Sequence, residues 1–339
     1  MKRVPGEPMM LVHDFLQRSA ARLPGKEALV CGERRFDYAR LDAMANRLAN
    51  ALVARGVRRG DRVALLLDNS LEAVVAVFAA LKAGAAFVAI SRGTRPDKVL
   101  ALLNDCAASA LVSDVAALGQ GLLGRLADEA PSLKAVVACG GAPRPSDALL
   151  LDFAAIQAEF PASDPGVRCI DLDLACLIYT SGTTGESKGV MCDHASVVFA
   201  AGTIARYLKN SESDVVLSVL PLAFSYGLYQ LLATFLAGGT LVLEESFAFP
   251  DLVLEKMARE RVTGFAAVPT IYARLLSMNL AGLDLSSLRY LTNAAAGLPV
   301  EQVRRVRLLF PRAELYLMHG LTEVARTMFL APDQVDARP

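Results

Sequence analysis

The sequence predicts an α/β protein built as two related lobes, each a mixed, largely parallel sheet flanked by helices. Three observations predict it. Short apolar runs with strand character alternate with helical runs along almost the whole chain. Of the 339 residues 54% are hydrophobic and 21% charged, which excludes a disordered chain and supports about two units of roughly 150 residues each. Between Gly140 and Asp173 the pattern weakens as Pro143, Pro145, Pro161 and Pro165 accumulate, so a first lobe spans 1–165 and a second 166–339.

The elements follow in order. A first helix is expected at Leu11–Ala21, then a short strand pair, Glu27–Cys31 and Arg35–Tyr38, around Gly32-Glu33. Leu41, Met44, Leu48 and Leu52 fall on one face of a helix over Leu41–Ala54, which Gly56 and Gly60 stop. Asp61–Leu67 reads as a strand apolar on both faces, and Asn69-Ser70 as a cap for a helix over Leu71–Ala83. Strand Phe87–Ile90, helix Arg95–Asp105 and strands Ala110–Val112 and Ala135–Ala138 complete the first lobe. The second restarts with strand Leu174–Thr180 and helix His194–Leu208, with Asp193 as a cap. Strands Val215–Val219, Thr240–Leu243, Gly264–Ala267, Leu288–Thr292 and Glu314–Met318 then alternate with helices Tyr226–Phe235, Pro250–Glu260, Ile271–Met278 and Val300–Leu309.

Charge and cysteine usage narrow the function. Lys+Arg and Asp+Glu are equal at 35 each, which gives no support for nucleic acid as a partner. The six cysteines form no C-x-x-C pair and, with three histidines, no zinc spacing; they read as reduced, buried thiols. Met1–Pro8 has no signal-like apolar stretch, so the expected location is the cytoplasm. Val215–Leu243 carries no charge and exceeds the roughly 20 residues that span a bilayer, but Pro221, Gly227, Gly238 and Gly239 cut it into strand, turn, buried helix, turn and strand. No integral membrane span is expected.

The most informative stretch is Leu177–Met191. An apolar strand runs into Thr180, Ser181, Gly182, Thr183, Thr184 and Gly185, followed by Lys188 and Gly189. Glycines let backbone approach a ligand, successive N–H groups form an anion nest, hydroxyls donate, and the lysine adds a point charge suited to phosphate. It is not a Walker loop, because Ser187 and Gly189 flank the lysine. A polar linker would need none of this concentration.

Tyr179–Val190 resembles the phosphate-loop signature of the adenylate-forming (AMP-binding) superfamily, which includes acyl-CoA synthetases, aryl-CoA ligases and carrier-protein adenylation domains. Ser187 stands where members commonly have Pro. Leu220–Leu228 is similar to the family's acid-pocket segment, and Met318-His-Gly-Leu-Thr-Glu323 to its Y-G-x-T-E motif. The resemblance implies an AMP-forming acid–thiol ligase: ATP and a carboxylic acid give an acyl-adenylate and pyrophosphate, and a thiol of CoA takes the acyl group. Transfer to a carrier-protein phosphopantetheine, which would make an acyl carrier protein a partner, stays open, as does a non-catalytic nucleotide- or acyl-binding module.

The resemblance also implies roles. Thr180, Ser181, Thr184 and Lys188 hold the β and γ phosphates, with Gly182, Thr183 and Gly185 in the same cradle. Thr322 bonds the α-phosphate and Glu323 ligates Mg²⁺, so Lys188, Thr322 and Glu323 are the catalytic candidates. Ala294, Ala295 and Ala296 line one adenine face where glycines are usual, and His319-Gly320 takes the other, His319 replacing a Tyr. Phe224, Ser225, Tyr226 and Gly227 lie beside the acid. Ser225 stands where amino-acid-activating relatives carry Asp; an unpaired buried ammonium is costly, so a fatty or aromatic acid is favoured over an α-amino acid. His194 is assigned to packing and His13 to a surface or structural place. No Thr-Gly-Asp follows Glu323; the expectation is a large N-terminal domain whose small C-terminal domain is absent, with weak or partial activity alone.

Overall fold

Parallel strands need a crossover between them, and the alternation of apolar runs with amphipathic ones supplies a helix at nearly every step. The computed structural model describes residues 10–119, 121–141, 149–181 and 187–335, Ser181 by its backbone alone. In chain order the strands are β1 (Glu27–Cys31), β2 (Arg34–Asp37), β3 (Arg62–Leu66), β4 (Ala86–Ile90), β5 (Ala110–Asp114), β6 (Ala135–Cys139), β7 (Leu150–Asp152), β8 (Leu174–Ser181), β9 (Ser187–Asp193), β10 (Val215–Ser218), β11 (Thr240–Leu243), β12 (Gly264–Ala267), β13 (Tyr290–Asn293), β14 (Glu314–His319) and β15 (Met328–Leu330). The helices are α1 (Asp14–Arg22), α2 (Tyr38–Ala54), α3 (Leu71–Lys82), α4 (Pro96–Asp105), α5 (Val115–Leu118), α6 (Leu123–Glu129), α7 (Phe153–Glu159), α8 (His194–Tyr207), α9 (Ser225–Ala237), α10 (Pro250–Arg259), α11 (Pro269–Leu275) and α12 (Val300–Leu309).

The chain divides into two units. One comprises Met1–Arg22, Ala39–Leu67 and Glu72–Phe199; the other comprises Leu23–Tyr38, Asp68–Leu71 and Ala200–Pro339. The first holds a seven-stranded sheet, β7-β6-β5-β3-β4-β8-β9, parallel except for the β8–β9 hairpin. The second holds an eight-stranded sheet, β15-β14-β13-β12-β10-β11-β1-β2, parallel except at its two edges. Both are mixed, largely parallel and flanked by helices, the predicted α/β class.

The division differs from a boundary at 165/166 in two places. β8, expected to open the second lobe, pairs in parallel with β4 at Phe87↔Cys176 and Val88↔Leu177. β4 is buried, and its backbone needs a ladder partner on each side. The β1–β2 hairpin, expected in the first lobe, joins the second sheet through parallel pairing of β1 with β11, Leu29 opposite Leu241. In both cases a long-range partner outweighs sequence proximity.

The first unit's core runs from Leu66, Val88 and Leu111 in the sheet to Val99 and Leu103 of α4 and Leu118 of α5. In the second unit the charge-free stretch folds as β10, α9 and β11, and α9 is buried from Tyr226 to Phe235. Among the described residues no helix is long and apolar enough to cross a membrane. Among the described residues none of the six cysteines is in a disulfide.

Elements not expected are α5, α6, β7, α7, β9 and β15, all short or polar. Asp114 and Asp152 cap α5 and α7 by accepting from Ala117 N and Ala155 N. The Asn69 side chain is engaged elsewhere, its amide held by a loop of the second unit described next. Asp193 does cap α8, its Oδ1 accepting from Ser196 N at 2.7 Å.

Candidate functional site

Each unit presents its candidate residues at the carboxyl ends of its strands, where open α/β sheets hold ligands. In the first unit β8 and β9 are antiparallel, with Tyr179 opposite Gly189, Thr180 opposite Lys188 and Ser181 opposite Ser187. Directly opposed residues share a face with Cβ atoms about 5 Å apart. Thr180 and Lys188 therefore flank the mouth of the phosphate-loop sequence together. Thr180 is half-buried and Lys188 exposed, and among the described residues no carboxylate lies within ion-pairing distance of it. Gly182, Thr183, Thr184 and Gly185 lie outside the described residues, as does the side chain of Ser181.

The hairpin is held below its mouth. The Tyr179 phenol donates to Asp105 of α4, and burial beside that carboxylate pushes the phenol far above its ordinary range. A Cβ on Gly189 would stand 3.2 Å from Tyr179 Cζ, so glycine there lets the ring lie across the opposite strand. At the far end His194 is 2% exposed and its Nδ1 accepts from Val12 N at 3.0 Å. His13 packs edge-on to it with ring centroids 5.8 Å apart. Burial holds the His194 imidazole down at about 4, with His13 acting in the same direction. Both are packing groups, as the sequence implied.

In the second unit β10, β12, β13 and β14 run parallel and end on one edge. After β10, Pro221–Phe224 forms a turn, Phe224 N donating to Pro221 O, and α9 begins at Ser225. Phe224 is exposed, Ser225 half-buried and Tyr226 buried. A Cβ on Gly227 would stand 2.3 Å from Pro221 O, so only glycine lets α9 pack back on that turn. Asn69 fastens the same turn. Its amide donates to Leu220 O at 3.0 Å and Glu244 O at 2.9 Å, and its Oδ1 accepts from Leu222 N at 2.9 Å. The sequence offered no signal for this, because an Asn ahead of a helix reads as a cap.

Tyr226 Oη shares a hydrogen bond of 2.7 Å with Thr292 Oγ1 at the end of β13, and Tyr272 Oη donates to Thr292 O at 2.8 Å. Burial raises the Tyr226 phenol well above its usual range. Beyond Thr292, Asn293 donates to Ala296 O at 2.9 Å, closing the Ala294–Ala296 loop. Ala294 is 2% exposed, whereas Ala295 and Ala296 are exposed. Ala295 has φ +72°, a left-handed conformation that favours glycine.

β14 ends at His319, which is exposed and shares a 2.9 Å hydrogen bond between Nδ1 and Thr327 Oγ1. Gly320 permits the turn that follows: a Cβ there would fall 1.9 Å from Ala325 O. Thr322 is half-buried and Glu323 exposed on this turn. The chain then returns as β15, His319 opposite Met328. On the way back Arg326 lays its guanidinium over the Tyr226 ring, 4.7 Å from the centroid. Arg326 was not singled out in the sequence; a cation three residues past a motif carries no local signal.

The second unit thus brings together Ser225, Tyr226, Ala294–Ala296 and His319–Glu323 on one sheet edge, and the first unit carries Thr180 and Lys188 on its own hairpin. Among the described residues no three metal-ligating side chains gather. The exposed Glu323 carboxylate offers the hard oxygen donor of a kind that Mg²⁺ takes, with phosphate and water oxygens completing its shell.

The family model for "AMP-binding enzyme" matches residues 16–339. The chain is 32% identical over 284 residues to 3-hydroxybenzoate–CoA ligase of Aromatoleum sp. (strain CIB), covering 83% of this chain and 53% of that protein. Two much longer relatives are matched over 4% of their length. The chain therefore spans about half of the length of one curated relative and a small part of others. Among solved structures, the inhibitor-bound N-terminal domain of FACL13 from Mycobacterium tuberculosis superposes with a TM-score of 0.87 at 26% identity, over 97% of this chain and 81% of that one. The anthranilate CoA ligase AuaEII in complex with anthranoyl-AMP gives 0.86 at 28% identity, over 94% and 61%.

Proposed function

Since the chain belongs to the AMP-binding enzyme family, we propose that it activates a fatty or aromatic carboxylic acid with ATP, giving an acyl-adenylate and pyrophosphate. The acyl group then passes to the thiol of CoA. The observation that carries this reading is the β8–β9 register, which opposes Thr180 and Lys188 at the mouth of the Thr-Ser-Gly-Thr-Thr-Gly stretch. A hydroxyl donor and an ammonium on one face are what a departing pyrophosphate requires.

The chain's residues then divide the work. Thr180, Ser181, Thr184 and Lys188 hold the β and γ phosphates, with Gly182, Thr183 and Gly185 shaping the cradle. Thr322 donates to the α-phosphate. Glu323 would hold Mg²⁺, which supplies charge neutralisation at the phosphates. Ala294–Ala296 and the His319-Gly320 edge enclose the adenine. Phe224–Gly227 lines the acid, and the 3-hydroxybenzoate and anthranilate ligases named above support an aromatic one.

ATP–pyrophosphate exchange with a panel of fatty, aromatic and amino acids tests this directly. Exchange is expected with a fatty or aromatic acid, falling about 100- to 1000-fold in Lys188→Ala, the usual cost of one electrostatic donor to a transferring group. Binding of adenylate mimics without exchange would replace the reading with a non-catalytic module. Comparing CoA with a pantetheine-loaded carrier protein in the complete protein settles the acceptor; preference for the carrier would reverse that assignment.

A further inference from the structure

The second unit contains a cation that nothing in the adenylation reading uses. Arg326 is half-buried. One face of its guanidinium lies on Tyr226, 4.7 Å from the ring centroid. Tyr207 lies beside the guanidinium, its phenol pushed up to about 12 by burial and pulled back by the charge of Arg326 and by hydrogen bonding to it. Tyr207 is itself held by Phe329, stacked at 4.4 Å between centroids. Arg326 Nη1 donates to Ala325 O at 2.9 Å, while its Nε is buried without a hydrogen-bond partner among the described residues. No carboxylate there lies within ion-pairing distance of it.

A half-buried guanidinium with an idle Nε–H is costly unless something supplies acceptors. Aromatic stacking holds its plane and leaves the Nε–H without an acceptor, a donor that a carboxylate oxygen would satisfy. The surface it stacks on is Tyr226, the residue placed beside the acid. Ser225 next to it contributes no negative charge. The environment is therefore cationic, which opposes an ammonium group and invites a second anion.

We propose that Arg326 determines specificity in the acid pocket by pairing with a second carboxylate on the substrate, so that the preferred acids are dicarboxylic. The proposal rests on the acid-activation reading above. No covalent step is added: one carboxylate reacts with ATP, and the other is held by Arg326 through charge-assisted hydrogen bonds.

The test is binding of hydrolysis-resistant acyl-sulfamoyl adenosines to the full chain, in pairs of equal length ending either in a carboxylate or in a methyl group. The expected result is tighter binding of the carboxylate member by about tenfold or more. Arg326→Met should bring the pair within about threefold by weakening only the carboxylate member, and Arg326→Lys should recover part of the preference. Equal loss for both members in Arg326→Met would make Arg326 a packing residue and overturn the proposal. So would tighter binding of the methyl member by the unaltered chain, a comparison that needs no variant to fold. Either result leaves acid activation standing. Failure of every mimic to bind would remove the adenylate site itself, and this proposal with it.

Discussion

The β8–β9 hairpin of the first unit and the strand ends of the second position their candidate residues by opposite means. On the hairpin the polar residues are exposed or half-buried, and their placement follows from register alone: Thr180 faces Lys188 because the strands pair residue for residue from Cys176 to Ser181, beyond the one register shift at Leu174/Cys176. In the second unit placement is made by groups that act on other parts of the protein. Asn69 ties three backbone groups of the turn before α9 and its surroundings, Thr292 ties two tyrosines, and Gly227 and Gly320 allow backbone contacts that any side chain would forbid. The lesson is that a binding loop can be written in a few consecutive residues, whereas a shaped pocket is written across the whole unit.

Four measurements would break or sharpen this contrast. The largest effect is expected at Gly320. An added Cβ would overlap Ala325 O, a backbone atom that cannot swing away, so Gly320→Ala should cost about 3 kcal/mol or more. A urea midpoint equal to that of the unaltered chain would show the turn to be pliable. Asn69→Ala comes next. It strands Leu222 N–H and two carbonyls and should cost about 2–3 kcal/mol, read by denaturant unfolding. An effect below that of an ordinary exposed polar residue would deprive the turn of its anchor.

The third test belongs to the first unit. His194 is buried neutral at about 4, while the unfolded chain protonates near 6.5. The unfolded state thus binds more protons between those values. Stability is fully present above about pH 6.5 and declines as pH falls toward 4. His13, also lowered by burial and facing Asp14, Lys82, Asp164 and Asp42, adds in the same direction. Unfolding midpoints at pH 7.5 and pH 5 should differ, and His194→Gln should flatten the difference. A flat profile in the unaltered chain would contradict a neutral buried imidazole. The smallest effect is at Ala295, where relief of the left-handed φ should make Ala295→Gly more stable by about 0.5–1 kcal/mol, readable as a small rise in Tm.

The same contrast explains what could be read from the sequence. The central strands and long helices announce themselves because burial on one or two faces imposes a period on residues such as Leu41, Met44 and Leu48. β9 escaped because Ser187, Lys188 and Gly189 lack any apolar alternation; only pairing with β8 makes them a strand. The assignment of β8 and β1 to their sheets escaped for a related reason, since neighbours in a parallel sheet are chosen by topology and not by local preference. Among the site residues, motif positions such as Lys188 and Glu323 were visible as consecutive patterns. Asn69 and Arg326 were not, because what distinguishes them is a partner elsewhere in the unit: the Leu220 and Leu222 backbone for one, the face of Tyr226 for the other.

The pairing of β1 with β11 has a consequence for how the chain is made. Leu29 and Leu241 are register partners. During synthesis the β1–β2 hairpin leaves the ribosome well before its parallel neighbour, which follows only after roughly two hundred further residues. Distant pairings of this kind form slowly, because the intervening loop must close before any contact rewards it. The strand it awaits lies in the uncharged stretch Val215–Leu243, whose apolar side chains stay exposed until the sheet closes. The interval between translation of β1 and its docking on β11 is therefore one in which the nascent chain is open to aggregation.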